Sequence, residues 1–421
     1  MTILAQDYLR TLKSIRDRCL QVYEKGLLGE LTCFELDETA LDAIVDHVAE
    51  TTQRRYPDLD KTPPHSRLRH FDAKQLQALR NRWQTEGVDA VEQARRLIDL
   101  VIVSVLVDAG AGQAWRYKTS GGELVGRSEG LALASFDMFL KGDFSSSKEA
   151  LDRVDVNGLD AITLQRMTEG FQVTEENPMV GLEGRSNLLK KLSKAVENQP
   201  TYFPSINGES PRPGNLIDYV LSSVEHDSQA KNVRIEKLWE AVMSLGEIWP
   251  ARVQINGIQL GDVWPCASLK DAGDHENLVP FHKLSQWLTY SLIEAMELSL
   301  GLAVDGVEQM TGLPEYRNGG LLIDYGLLKL KPAEAERGML SSSGDLPSFE
   351  GSDRVIVEWR ALTVVYLDKI KERLEAKLGR QLRLAQVLEG GTWTAGREIA
   401  AKLRPKDGGP PIVIQSDGTI F

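Results

Sequence analysis

Apolar residues in this chain return mostly at three- and four-residue spacings, and alternating stretches are few and short. That spacing lays one apolar stripe along a helix, so the chain must be built largely of amphipathic helices packed stripe to stripe. Tyr8, Leu9, Leu12, Ile15, Leu20 and Val22 form such a stripe over Ala5–Glu24. Leu41, Ile44, Val45 and Val48 form another over Leu36–Thr51, with Asp37 as its N-cap. Further helices are expected over Ala73–Trp83, Val88–Val107, Glu129–Leu140 (capped by Ser128), Ser145–Asp155, Asn157–Glu169 and Arg185–Val196. Asn215–Glu225, Val233–Leu245 and Phe281–Leu300 follow, then Val355–Leu378, which begins as a strand or an apolar helix start and continues as a helix, and a last helix ending at Leu403.

Strand signals are local. Trp115–Arg127 reads as a hairpin with a Gly121-Gly122 turn, and Trp249–Trp264 as one turning at Asn256-Gly257, the dipeptide best suited to a two-residue hairpin loop. Leu321–Lys331 (LLIDYGLLKLK) runs apolar like a buried strand. The expected fold class is mainly α, a compact multi-helix fold with small antiparallel β-hairpins.

At 421 residues the chain can bury a large core, and no Pro/Ser/Gly linker forces a split. One compact unit over 1–421 is expected, with an N-terminal helical lobe over 1–108 and a pocket-bearing body over 109–421. A net charge of −12 argues against a nucleic-acid or anionic-membrane surface. No stretch approaches the ~18 apolar residues of a membrane span. The N-terminus lacks the unbroken apolar core of a signal peptide, so a cytoplasmic protein with a small-molecule partner is expected. Cys19, Cys33 and Cys266 stand at unrelated spacings and suggest neither a disulfide framework nor a CxxC metal site.

Tyr56–Phe71, with two adjacent prolines, breaks the helical pattern and ends in Arg67, Arg69 and His70. It is either a solvated connector tethered by arginine or an anion-binding arm. The hairpin carrying Trp115 and Tyr117 is either a structural corner or one wall of a site.

Candidate chemistry gathers in Leu278–Thr289, Thr311–Leu327 and Val355–Thr363, where placed polar groups stand among large apolar ones, as in a ligand pocket. Asp262, Asp324 and Glu358 each sit in apolar surroundings, where a charge costs several kcal/mol unless it is paired. Each implies a partner, for which Lys283, Arg317, Arg360 and Arg397 are candidates, and each is either a structural ion pair or a perturbed catalytic acid. Trp264, Trp287, Trp359 and Trp393 are either core or aromatic walls. No HExxH or paired CxxC occurs, and no GxSxG elbow or Walker loop, so no metal and no cofactor is expected.

The segments GDVW, LVPFHKLSQWLTYSL, TGLPEYRNGGLLIDYG, VEWRALTV, LEGGTWTAGREIA and SDGTIF, with RHF, GAGQAWRY, SEGLALASFDMF and NPMVGLEGR, resemble the uracil catabolism protein 4 family over nearly the whole chain. FHKLSQWL is also similar to a segment of queuosine salvage proteins, which are helical N-glycosyl hydrolases, and their Asp-Tyr-Arg segment would fall on Glu358-Trp359-Arg360. These resemblances imply a helical glycosylase architecture and a metal-independent enzyme of pyrimidine degradation. It would hydrolyse the N-ribosyl bond of ribosylurea, or its 5′-phosphate, to urea and ribose or ribose 5-phosphate. Glu358 and Asp324 would be catalytic. His282, Lys283, Gln286, Glu315, Tyr316, Arg317, Asn318 and Arg360 would bind substrate, with Asp262, Trp264, Trp287, Trp359, Trp115 and Tyr117. The alternatives are a non-enzymatic binding or scaffold protein of the same pathway, and a metal-dependent amidohydrolase-type step through Cys266, His275 and His282.

Overall fold

The computed structural model describes residues 3–108, 110–112, 114–222, 232–248, 252–269, 274–342 and 344–415. Gln113, Trp249, Asp271 and the terminal SDGTIF segment lie outside the described residues. The fold is mainly helical, with short strands paired two by two. Contacts divide the chain into two units. Met1–His65, Ala251–Gln286 and Val307–Ile420 make up the first, and Ser66–Pro250 with Trp287–Gly306 most of the second.

The first unit is organised around the helix Arg354–Leu378. Asp353 caps it, accepting from the Val355 amide at 2.9 Å, and every residue from Val355 to Leu367 is buried. A helix buried on all sides needs neighbours on all sides. Leu12–Leu27, Leu41–Arg55 and Tyr316–Asp324 supply them, and Tyr316–Asp324 packs in turn along Trp393–Leu403. Phe34–Leu36 pairs antiparallel with Leu328–Leu330, Val263–Pro265 antiparallel with Leu278–Pro280, and Ser348–Glu350 parallel with Val413–Gln415. The Asn256-Gly257 hairpin is present, with φ of 52° and 79° at its two turn residues.

The strand expected over Leu321–Lys331 is a correction. Its first part belongs to the helix Tyr316–Asp324, which ends before Gly326 at a φ of 76°, and only Leu328–Leu330 is a strand. Continuous apolarity does not distinguish a buried strand from a buried helix end. Here Glu315 starts a helix by accepting from the amides of Arg317 and Asn318.

The second unit is built on the helix Ala90–Leu106, capped by Asp89 and buried without a break from Leu97 onward. Arg127–Lys141, Leu182–Asn198 and Leu216–Ser222 pack against it. Asp99 lies inside this core and takes two donors from Arg212, at 2.7 and 3.1 Å, and the amides of Gly214 and Val154. The helix expected over Ser145–Asp155 does not form. Ser147 Oγ accepts from the amides of Glu149 and Ala150, and Asp155 from that of Ser146, so side chains take the amides a helix would need. Gly126, not Ser128, caps Arg127–Lys141.

Candidate functional site

Most of the charged groups expected at a site are committed elsewhere. Glu358, on the central helix of the first unit, is buried and fully subscribed. Its Oε1 accepts from the Cys33 and Phe34 amides, both at 2.8 Å, and its Oε2 from the Thr32 amide at 3.0 Å and from Ser268 Oγ. A carboxylate has about four acceptor positions, and all are taken. Burial pushes its pKa up, against the pull of Ser268 and the three amides. Burial likewise raises the thiol of Cys33 and carries that of Cys266 up to about 12, so neither is an activated nucleophile.

Asp262 and Arg360 face each other fork to fork at 2.8 Å through both oxygens, and Asp262 also takes Trp264 Nε1 at 2.6 Å and the Lys283 amide at 3.0 Å. Burial works against the Asp262 anion, but Arg360 outweighs it and holds the carboxyl below the usual range. Arg360 lies over the Phe281 ring at 4.1 Å. His282 is buried at a left-handed φ of 45°, with Nε2 at 2.8 Å from the Leu9 carbonyl, and burial lowers its pKa. Gln286 clips the chain at Thr311 through both ends of its amide. Asp324 is held by Arg404 at 2.9 and 2.5 Å. These are structural ties, some to backbone amides and carbonyls and some between paired side chains, and Glu358 and Asp324 share no partner. Among the described residues, no three His, Cys, Asp or Glu side chains stand together as a metal set.

The start of the helix Tyr316–Asp324 is different. Glu315 caps it, Oε2 accepting from the Arg317 amide at 2.8 Å and Oε1 from the Asn318 amide at 2.6 Å. Among the described residues, one acceptor position therefore remains on each oxygen. Ser, Thr, Asp and Asn are the preferred caps, so a glutamate here is an unusual choice for capping alone. The Arg317 guanidinium makes no hydrogen bond or ion pair among the described residues. It rests on aromatic faces, 5.2 Å from the Tyr316 centroid and 4.9 Å from that of Trp393. Arg397 lies over the same indole at 4.8 Å. Glu315, Tyr316, Arg317 and Trp393 are all half-buried. Beneath them Asn318 donates to the Leu313 carbonyl at 3.1 Å, while its Oδ1 and Trp359 Nε1 are buried without a partner among the described residues. A carboxylate and a guanidinium with open capacity, walled by aromatic rings, can bind a polar ligand and oppose a developing charge.

Glu389, His65 and Arg55 stand behind Trp393 and were not among the expected site residues. The signal was the Gly390-Gly391 pair inside an otherwise helical segment, which needs a reason to be there.

Trp115, Tyr117 and Trp287 belong to the second unit. Trp115 Nε1 donates to the Phe171 carbonyl at 2.9 Å, and Tyr117 donates to Asp137. The motif segments of this unit are tied together. Asn177 binds both the amide and the carbonyl of Arg116, and the buried Arg185 takes the carbonyls of Val107 and Val180. Arg67, expected in a connector, is wholly buried over Trp287 at 5.5 Å and bonded to Ser104, Ser128 and His70, with Asp108 at 3.3 Å.

Fold and site together define a mainly helical protein in which, among the described residues, Glu358, Asp262 and Asp324 are taken up by structural partners while Glu315 and Arg317 keep open capacity. The chain belongs to the family described as "Protein of unknown function (DUF1688)", whose model matches residues 8–421. It is 40% identical to "Protein urg3" of Schizosaccharomyces pombe and 38% identical to "Uracil catabolism protein 4" of Lachancea kluyveri, each match covering 98% of both chains. The resemblance to the uracil catabolism protein 4 family is borne out.

Proposed function

We propose that this protein acts in uracil breakdown and hydrolyses the N-ribosyl bond of a ring-opened uridine derivative, ribosylurea or its 5′-phosphate. The name of the Lachancea kluyveri relative supports the pathway. The observation that carries the reaction is the open capacity of Glu315 and Arg317 at one helix start, between Tyr316 and Trp393.

In this reading water adds to C1′ of the ribose as the C1′–N bond breaks. The bonding pair leaves with the urea nitrogen, which takes up a proton from solvent water, balancing the one that the attacking water gives up. Glu315 stabilises the positive charge that develops on the sugar ring and takes the proton from the attacking water. Arg317 holds ribose hydroxyls or the 5′-phosphate, a role suited to a planar fork of donors. On this reading Glu358 holds the Thr32, Cys33 and Phe34 amides that lead into the strand Phe34–Leu36, and Glu315 is the reacting carboxylate.

The test is urea release from ribosylurea and from its 5′-phosphate by purified protein. Wild type should release urea from one of them, Glu315→Gln should lose that activity, and Glu358→Gln should retain it in its folded fraction. No urea from wild type, or full activity in Glu315→Gln, would sink the proposal. Binding of substrate without turnover would favour the non-enzymatic alternative.

A further inference from the structure

Behind Arg317, the segment Leu388–Thr392 winds as a π-turn rather than an α-turn. Such turns disrupt regular winding and collect at functional sites. Gly390 and Gly391 let this one lie flat against the helix Leu41–Arg55. A Cβ at Gly391 would stand 2.6 Å from Thr52 Oγ1 and from Val48 Cγ1.

The side chain the turn presents is Glu389, buried, with Oε2 at 2.8 Å from His65 Nδ1 and Oε1 at 3.2 Å from Arg55 Nη2. Burial works to raise the Glu389 pKa, but His65 and Arg55 prevail and the carboxyl stays below its ordinary value. Arg55 also donates to the Glu389 carbonyl and to Thr394 Oγ1. Those two bonds anchor the turn without needing the carboxylate. What the carboxylate adds is an ion pair with Arg55 and a charged acceptor for His65, whose ring lies 5.6 Å from that of Trp393 at 45°. Trp393 in turn carries Arg317.

We propose that Glu389 is a positioning residue for the Arg317 site, fixing the His65 imidazole and, through it, the Trp393 indole on which the guanidinium rests. The inference depends on the reading of Glu315 and Arg317 as the substrate site. A loose indole would leave Arg317 free to swing, and losing its hydrogen bond to a charged ligand group costs on the order of 10- to 100-fold in affinity.

The experiment uses the full chain and ribose 5-phosphate as probe, with binding followed by calorimetry. Trp393 emission is isolated by subtracting the spectrum of Trp393→Phe. Glu389→Gln keeps the side-chain volume and removes the charge, and His65→Asn keeps a donor toward Glu389 and removes the ring. Both should weaken ribose 5-phosphate binding by about 10- to 100-fold and shift the Trp393 emission. A purely structural ion pair would lower the unfolding midpoint and leave Kd and emission of the folded protein unchanged, and that result overturns the inference. Should one variant not fold, the other carries the same readouts. Should wild type bind no ribose 5-phosphate, the reading of the site fails separately. The Trp393 emission then decides, a shift supporting the positioning role and its absence overturning it.

Discussion

Gly396 lies directly against the backbone carbonyl of Arg317, so close that a Cβ built on the glycine would overlap the oxygen. That contact brings the helix Trp393–Leu403 onto the first turn of Tyr316–Asp324 and sets Trp393 beneath the Arg317 guanidinium. One residue's missing side chain thus decides how the open acid–arginine pair is presented.

Gly396→Ala should therefore act on both stability and binding. The obstacle is backbone, which cannot swing aside as a flexible side chain would, so a cost of about 1–3 kcal/mol is expected. Denaturant unfolding would measure it. Ribose 5-phosphate affinity should fall as well, because Arg317 moves with its carbonyl. Unchanged affinity in the folded variant would show that this packing does not set the guanidinium.

Arg317→Ala should weaken ribose 5-phosphate binding by about 1.5–3 kcal/mol, the range of a hydrogen bond to a charged group. Since no acceptor in the described protein depends on this guanidinium, stability should change little. Arg317→Lys should restore less than full affinity, because an ammonium neither stacks nor binds bidentately as a guanidinium does. Calorimetry on the three proteins checks the order.

Glu358→Gln should destabilise the fold without abolishing chemistry. A glutamine has one acceptor oxygen where Oε1 and Oε2 now receive three amides and a hydroxyl. Leaving a buried amide unsatisfied costs about 1–3 kcal/mol. Urea release per folded molecule should survive. If it vanishes while the unfolding midpoint holds, Glu358 and not Glu315 is the reacting carboxylate.

Arg360→Met should leave Asp262 buried beside Trp264 Nε1 and the Lys283 amide but without its cation, a loss of about 3–5 kcal/mol at neutral pH. The pH dependence has a definite sign. Arg360 keeps the folded-state Asp262 carboxyl below its unfolded value of about 4. Its contribution is therefore complete above that pH and is lost as pH falls through the folded value. The gap between wild type and Arg360→Met should narrow on acidification, and denaturant unfolding at a series of pH values would show whether it does.

Much of the framework was legible from the chain alone. Val355–Leu378 was legible as a helix beyond an apolar start that a strand could also have had, and Asn256-Gly257 marked a tight hairpin. The need of Asp262, Asp324 and Glu358 for partners was also legible, since an unpaired charge in apolar surroundings is costly. The partner of Asp262 was among the candidates, as Arg360. Those of Asp324 and Glu358 were not, for Arg404 lies 80 residues from Asp324, and the Thr32 amide 326 residues from Glu358.

Periodicity, turn chemistry and the cost of a buried charge are local properties, and they determined a mainly helical protein with several acids that had to be compensated. Which acids are spent on backbone and which keep an open lone pair depends on distances between residues far apart in the sequence, and only the tertiary structure decided it. Among the described residues, packing filled every acceptor of Glu358 and left one on each oxygen of Glu315.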